Sequence, residues 1–212
     1  MWAELTPGAV DVWQIDLKAD ENDPPVVSPE ENARAERFRQ PDDGRRSRRA
    51  RSALRRLLAG YVGADPRALV LETARHGKPY LADPPSDVRF NVSHAGPIAL
   101  VAFARGAEVG VDVELRERRV DAVTVARHTF GESCARRLAG LPPGRRHEAF
   151  LHAWVRHEAT VKCLGSGLGS PPSEAADVWV TGLDVAPDMV AAVAARPGPC
   201  SIRLRVLPAA GA

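Results

Sequence analysis

The sequence predicts an α+β fold of two pseudo-symmetric lobes, each an antiparallel sheet packed with helices, and three observations carry that expectation. The order strand, helices, strands occurs twice along the chain. Residues 10–17 and 109–115 hold equivalent places in the two rounds. A length of 212 residues suits two small lobes of about a hundred residues each. The expected division is 1–107 for the N-terminal lobe and 108–212 for the C-terminal lobe, with a site at their interface. Residue-level similarity between the halves is slight, so the duplication is one of structure.

Taken in order, residues 10–17 (VDVWQIDL) alternate apolar and polar side chains and read as a half-buried strand. Ser28 is a good N-cap, Pro29 suits the first helical position, and Glu30 and Glu31 complement a helix N-terminus, so a helix is expected to about residue 39. A second helix over 42–61 carries one apolar stripe of Ala50, Leu54, Leu57, Leu58 and Tyr61, with Gly63 beyond its end. A short strand at 68–71, a turn at 77–79 and a Pro84-Pro85 loop follow. Strands at 88–92, 98–104 and 109–115, separated by Gly96-Pro97 and Arg105-Gly106, read as an antiparallel meander. Helices are expected over 120–130, 132–141 and 145–164, the last ended by Gly165, and strands at 176–183, 189–194 and 202–207.

Composition excludes several classes. With 44% hydrophobic and 26% charged residues and a net charge of +2, the chain is globular and not generally basic. Cys134, Cys163 and Cys200 are far apart and lack CxxC spacing, which argues against a disulfide framework or zinc ribbon and for a reducing cytoplasm. Neither a secretion signal nor a membrane span is expected, because no segment reaches the roughly 18 apolar residues required. The basic stretch at 45–56 (RRSRRARSALRR) reads equally as a local anion site or a solvated helix face. Nucleic-acid binding is the weaker reading, since no aromatic set is interleaved with it.

Within 110–114 (GVDVE), strand alternation places Val111 and Val113 on one face and Asp112 and Glu114 on the other, roughly 6 to 7 Å apart. On the strand alone, an exposed polar edge is the stronger reading. Trp154, Glu158 and Lys162, four residues apart, share one helical face and set an acid beside a base. Leu151 and Val161 turn that helix toward the core, which shifts the balance to a carboxylate site of Asp112, Glu114 and Glu158 holding a hard cation, Mg²⁺, against a phosphoanhydride. The following Gly165-Ser-Gly-Leu-Gly169 segment lets backbone amides approach a ligand. Ser93 and His94 end a strand at the sheet rim. His147, His152 and His157 recur every five residues, rotating each by about 140°, so they cannot share one metal. The absence of GxSxG, HExxH and P-loop patterns weakens acyl hydrolase, metalloprotease and nucleotide kinase readings.

Four segments in register, GKPYL (77–81), FNVSHAG (90–96), GVDVE (110–114) and WVRHEATVKCLGSGL (154–168), resemble the 4′-phosphopantetheinyl transferases of the surfactin-synthetase (Sfp) type. The resemblance covers all but about the last thirty residues. It implies that family's fold and its reaction: transfer of the phosphopantetheine arm of coenzyme A to a serine of an acyl or peptidyl carrier protein, with release of adenosine 3′,5′-bisphosphate. It implies Asp112, Glu114 and Glu158 as ligands of Mg²⁺ or Mn²⁺ and Lys162 as a phosphate contact; since the carrier serine must lose a proton as it attacks, Glu158, directly or through a metal-bound water, is the expected base. Gly77, Lys78 and Pro79 match the adenine site; Ser47, Ser93, His94 and Arg34, with Arg46 more loosely, match the 3′-phosphate site. His157 departs from the family's usual lysine and would be largely neutral at pH 7.5. Expected partners are carrier proteins and coenzyme A, with no nucleic acid and no membrane, and a duplicated lobe suggests a monomer. A coenzyme A pyrophosphate hydrolase and a weakly catalytic coenzyme A binding protein use the same residues and stand as alternatives.

Overall fold

The computed structural model describes residues 4–18, 24–166, 177–198 and 200–208. Its elements run β1 (Ala9–Asp16), α1 (Pro29–Glu36), α2 (Pro41–Val62), β2 (Val70–Thr73), β3 (Pro79–Asp83), β4 (Val88–Ala95), β5 (Ile98–Arg105), β6 (Glu108–Leu115), α3 (Ala122–Phe130), α4 (Glu132–Ala139), α5 (Pro143–Leu164), β7 (Trp179–Leu183), β8 (Met189–Arg196) and β9 (Ser201–Val206). The local start and stop signals act as expected. Ser28 accepts from the Glu31 N–H at 3.2 Å while its own N–H donates to Glu31 Oε2 at 2.8 Å, a complete capping box. Gly63 and Gly165 close α2 and α5 in the left-handed region, at φ 68° and 66°.

Alternation along the strands builds the layers. In the first sheet, ordered β4-β5-β1-β9, Ile15, Phe90, Val101 and Phe103 face α2 and bury against Leu54, Leu57 and Leu58. The opposite face of that sheet, with Val10, Val12, Leu100 and Ala102, packs on Val109, Val111, Val113 and Val193 of a second sheet, ordered β6-β8-β7. The outer face of the second sheet is covered by α5, through Leu151, Val155 and Ala159 against Val190, Ala192 and Ala194, and α3 packs with α4 and α5. The result is a helix, sheet, sheet, helix stack of α+β class.

Three expectations are corrected. The turn at 77–79 leads directly into a missed strand, β3, which pairs antiparallel with β2 as a separate hairpin. The three-stranded meander does not form: β4 and β5 pair antiparallel, but β6 pairs with β8 instead. Its valines bury more completely stacked across the face of β1 and β5 than they would at an edge beside them.

The third correction concerns residues 202–207, assigned to the second lobe. They lie in β9, which joins the first sheet parallel to β1, so that sheet is mixed and not purely antiparallel. Charge fixes this crossing. Asp11 of β1 is fully buried, ion-paired with Arg203 and lying 3.3 Å from Arg205 Nε, both of β9, and it accepts from the Tyr61 hydroxyl at 2.6 Å. Burial and the Asp11 hydrogen bond hold the Tyr61 hydroxyl protonated far above its ordinary range.

Several arginines of the basic run on α2 are engaged within the molecule, one of them buried. Arg55 is buried and donates to Glu31 at 2.7 Å and to the Leu69 carbonyl at 2.9 Å, while Arg51 lies 3.4 Å from Glu31 and Arg45 pairs with Asp42. No helix among the described residues is long and apolar enough to cross a membrane.

Candidate active site

The site is built where β6 meets α5. Val109, Val111 and Val113 face the first sheet, so Gly110, Asp112 and Glu114 face the helix. Gly110 sets the distance between the two elements. A Cβ there would stand 2.1 Å from the Ala159 carbonyl oxygen and 2.3 Å from the Cys163 nitrogen, both helix backbone. Only a glycine admits so close an approach. One step along the same face, Asp112 reaches Lys162, whose ammonium donates to Asp112 Oδ1 at 2.6 Å. Ser93 of β4 donates to the same oxygen at 2.8 Å and stands 3.2 Å from the ammonium.

Asn91 of β4 ties itself to a β6 backbone N–H, β6 being paired with β8 and not with β4. It is buried, and its Oδ1 accepts from the Val111 N–H at 2.9 Å. Asn91→Ala strands that buried N–H, with an expected loss of about 1–3 kcal/mol; a urea-unfolding midpoint equal to the parent's would refute the role.

Two cations face three carboxylates. Glu114 Oε1 receives the Arg118 guanidinium and the Trp154 indole N–H at 3.2 Å, and Arg118 also lies over the Trp154 ring, 5.3 Å from its centroid. Asp112 Oδ2 and Glu158 Oε1 are buried and have no hydrogen-bond partner among the described residues. Burial raises the Glu158 carboxyl above its ordinary range, and the neighbouring Asp112 and Glu114 charges raise it further. Burial also raises Glu114, against the opposing pull of Arg118. Such oxygens suit a hard divalent cation, which supplies both the missing partner and the missing positive charge. Among the described residues, however, no group of three or more His, Cys, Asp or Glu is already gathered to hold a metal ion.

Comparison with known proteins identifies the family. A family model described as 4′-phosphopantetheinyl transferase, N-terminal, matches residues 13–105, and one described as 4′-phosphopantetheinyl transferase superfamily matches residues 108–187. The chain is 31% identical to the 4′-phosphopantetheinyl transferase HetI of Nostoc sp., over 77% of this chain and 72% of HetI. The chain belongs to the 4′-phosphopantetheinyl transferase superfamily. It is also 32% identical to the transferase psf-1 of Bacillus pumilus and 26% identical to Sfp of Bacillus subtilis, each over 68% of this chain. Those matches span 60% of psf-1 and 63% of Sfp, less than two thirds of either.

In this member of the superfamily the other expected residues are more dispersed. Lys78 does not point into open space: its ammonium donates to Glu108 at 2.9 Å and to the carbonyls of Val109 and Cys163 at 3.1 and 3.0 Å, tying the β2–β3 hairpin to β6 and the end of α5. Lys78 and Pro79, with Tyr80, Leu81, Phe90 and Leu164, line a cavity of about 540 Å³. A larger hollow, about 990 Å³, opens around Arg89, Trp179 and Arg196 and contains none of the expected site residues. Gly77 sits at φ 86°, as the turn requires. His94 is exposed on β4, Arg34 is exposed in the last turn of α1, and Ser47 and Arg46 lie on α2, Arg46 at 3.5 Å from Asp43. Among the described residues, no hydrogen bond or ion pair joins these four to the carboxylate group.

The three helix histidines go to three different neighbours, as their spacing predicts. His147 meets the Arg116 carbonyl, His152 meets Glu148, and the His157 ring packs edge-on against Phe130, 5.3 Å between centroids. Burial lowers the His157 pKa and keeps the ring neutral. Of the 165–169 segment, residues 167–169 lie outside the described residues. The sequence reading missed Gly110, Asn91 and Arg118 as parts of the site. A glycine inside a strand is itself a signal of close backbone approach; nothing in the sequence marked Arg118.

Proposed function

We propose that this chain moves the 4′-phosphopantetheine arm of coenzyme A to a serine of an acyl or peptidyl carrier protein, as in polyketide or nonribosomal peptide assembly, and releases adenosine 3′,5′-bisphosphate. The observation that carries the reading is the pair of buried, unpartnered carboxylate oxygens, Asp112 Oδ2 and Glu158 Oε1, beside the Lys162 ammonium. Asp112, Glu114 and Glu158 would hold Mg²⁺ or Mn²⁺. When bound, the ion neutralises charge on the pyrophosphate as the leaving bisphosphate departs.

The chain's own groups supply position and proton transfer. The serine oxygen attacks the phosphorus that bears the pantetheine arm, the P–O bond to the bisphosphate breaks, and the serine proton passes to Glu158. Glu158 Oε1, buried and without a hydrogen-bond partner among the described residues, is the oxygen placed to take it. Lys162 is placed to trade Asp112 for a phosphate oxygen, a cation held at the right spot without solvent rearrangement. Ser93 and His94, with Ser47, Arg34 and Arg46, receive the 3′-phosphate. The adenine enters the cavity of about 540 Å³ beside Gly77, Lys78 and Pro79, whose apolar walls suit a flat heteroaromatic ring.

The lobes 1–107 and 108–212, the first completed by β9, enclose this site within one chain, which works as a monomer in the cytoplasm. Incubation with coenzyme A, Mg²⁺ and a panel of apo carrier proteins should give a carrier mass increased by one phosphopantetheine arm. Bisphosphate release without any carrier modification would instead mean water is the acceptor.

The neutral His157 leaves one position without permanent charge. His157→Lys is expected to tighten coenzyme A binding at pH 8, seen as a lower KM; an unchanged KM would mean that this position does not touch the ligand.

A further inference from the structure

The site contains its own counter-cations, and one of them, Arg118, has no part in the reading above. Its place is set by the chain immediately after β6. The Arg118 N–H donates to the Leu115 carbonyl at 3.0 Å, a turn that folds the chain back over the strand end. The guanidinium thereby returns to Glu114, four residues earlier, pairs with its Oε1, and lies over the Trp154 ring. Trp154 in turn donates to that same oxygen. Two groups, from the following turn and from α5, thus hold the one carboxylate of β6, while Lys162 holds Asp112.

Two of the three carboxylates assigned to the metal, Asp112 and Glu114, are therefore each paired with a cation through one oxygen. Glu158, the third carboxylate, is near enough to feel both of the other charges. We propose that Arg118 is a positioning residue that competes with the divalent ion for Glu114, so that the ion binds weakly until an anionic pyrophosphate arrives to compensate the displaced guanidinium. Resting on the proposed function, this couples metal binding to coenzyme A binding: each pays part of the cost of releasing Arg118 for the other. The Arg118 side chain is 38% exposed and Glu114 20% exposed, so a partly hydrated pair is displaced, not a sealed one.

The test titrates Mn²⁺ into the metal-stripped full chain, read by the loss of the free-ion paramagnetic resonance signal, with and without coenzyme A. Without coenzyme A, Arg118→Gln should bind Mn²⁺ on the order of fivefold more tightly than the parent. With coenzyme A the two affinities should converge. Arg119→Gln removes the same charge from the adjacent residue, for which no contact with Glu114 is seen, and should leave the free-ion affinity near the parent's. Mg²⁺ should also change Trp154 fluorescence in the parent, as the guanidinium leaves the ring, and not in Arg118→Gln.

Equal or weaker Mn²⁺ binding by Arg118→Gln in the absence of coenzyme A overturns the inference, as does an equal gain in Arg119→Gln, which would reduce the effect to bulk charge. If coenzyme A alters Mn²⁺ binding in neither protein while Arg118→Gln still binds the free ion more tightly, competition for Glu114 stands and the coenzyme A reading of the site fails.

Discussion

Gly110→Ala should cost both stability and turnover while adding a single methyl group. Its Cβ would lie 2.1 Å from the Ala159 oxygen, 2.3 Å from the Cys163 nitrogen and 2.9 Å from the Cys163 Cα, and all three belong to helix backbone that cannot rotate away. The helix must therefore shift off the strand. Overpacking of this kind costs about 1–3 kcal/mol and sometimes more, which lowers Tm by roughly 3–10 °C in a chain of this size. The same shift carries Glu158 and Lys162 away from Asp112. A misplacement of about 1 Å in a catalytic group is worth on the order of 10²-fold in rate. The measurement is thermal unfolding together with carrier modification at a temperature where the variant stays folded. Gly182→Ala serves as control, since a Cβ there meets nothing nearer than the Ala191 oxygen at 3.9 Å. A Gly110→Ala protein with parental Tm and rate would show that the strand and helix are not in this contact.

Glu158→Gln should move activity and stability in opposite directions. Turnover should fall by on the order of 10³-fold or more, because the amide can neither take the serine proton nor carry charge to the metal. Coenzyme A binding should persist in part through the adenine and 3′-phosphate contacts. Stability follows from the direction of the pKa shift. The Glu158 carboxyl is raised above its ordinary value of 4.5 by burial and by Asp112, so the folded state holds the proton more tightly than the unfolded chain. Below the unfolded value both states are protonated and nothing is lost; as pH rises through the folded value, the ionised group costs stability. Metal-free Glu158→Gln should therefore have a higher Tm than the parent at pH 8, a difference that disappears below about pH 4.5 and shrinks when Mg²⁺ is added to the parent. A lower Tm at pH 8 would mean that the carboxylate is stabilised by partners other than those seen here.

Much of the site was legible because its parts repeat a period. Strand alternation is enough to put Asp112 and Glu114 on one face, and helical spacing is enough to align Trp154, Glu158 and Lys162. Ser28, Gly63 and Gly165 act on their own neighbours, so the ends of α1, α2 and α5 could be read from a few residues each. The meander was misread for a related reason. Three adjacent apolar strands look the same to a local pattern whether they pair edge to edge or stack face to face. The choice rested with Val109, Val111 and Val113 burying on β1 and β5.

By itself, then, the sequence determined the periodic faces, the helix ends and the identities of the carboxylates and Lys162, because each depends on bonds and spacings within a few residues. Only the tertiary structure decided which sheet each strand entered, that β9 returns to Asp11, and that Gly110 lets a strand touch a helix some fifty residues later. It alone placed Arg118 on Glu114 and Lys78 on the Cys163 carbonyl. Long side chains reach partners that only packing brings near, and a buried charge settles wherever a counter-charge meets it, so neither leaves a period for the sequence to show.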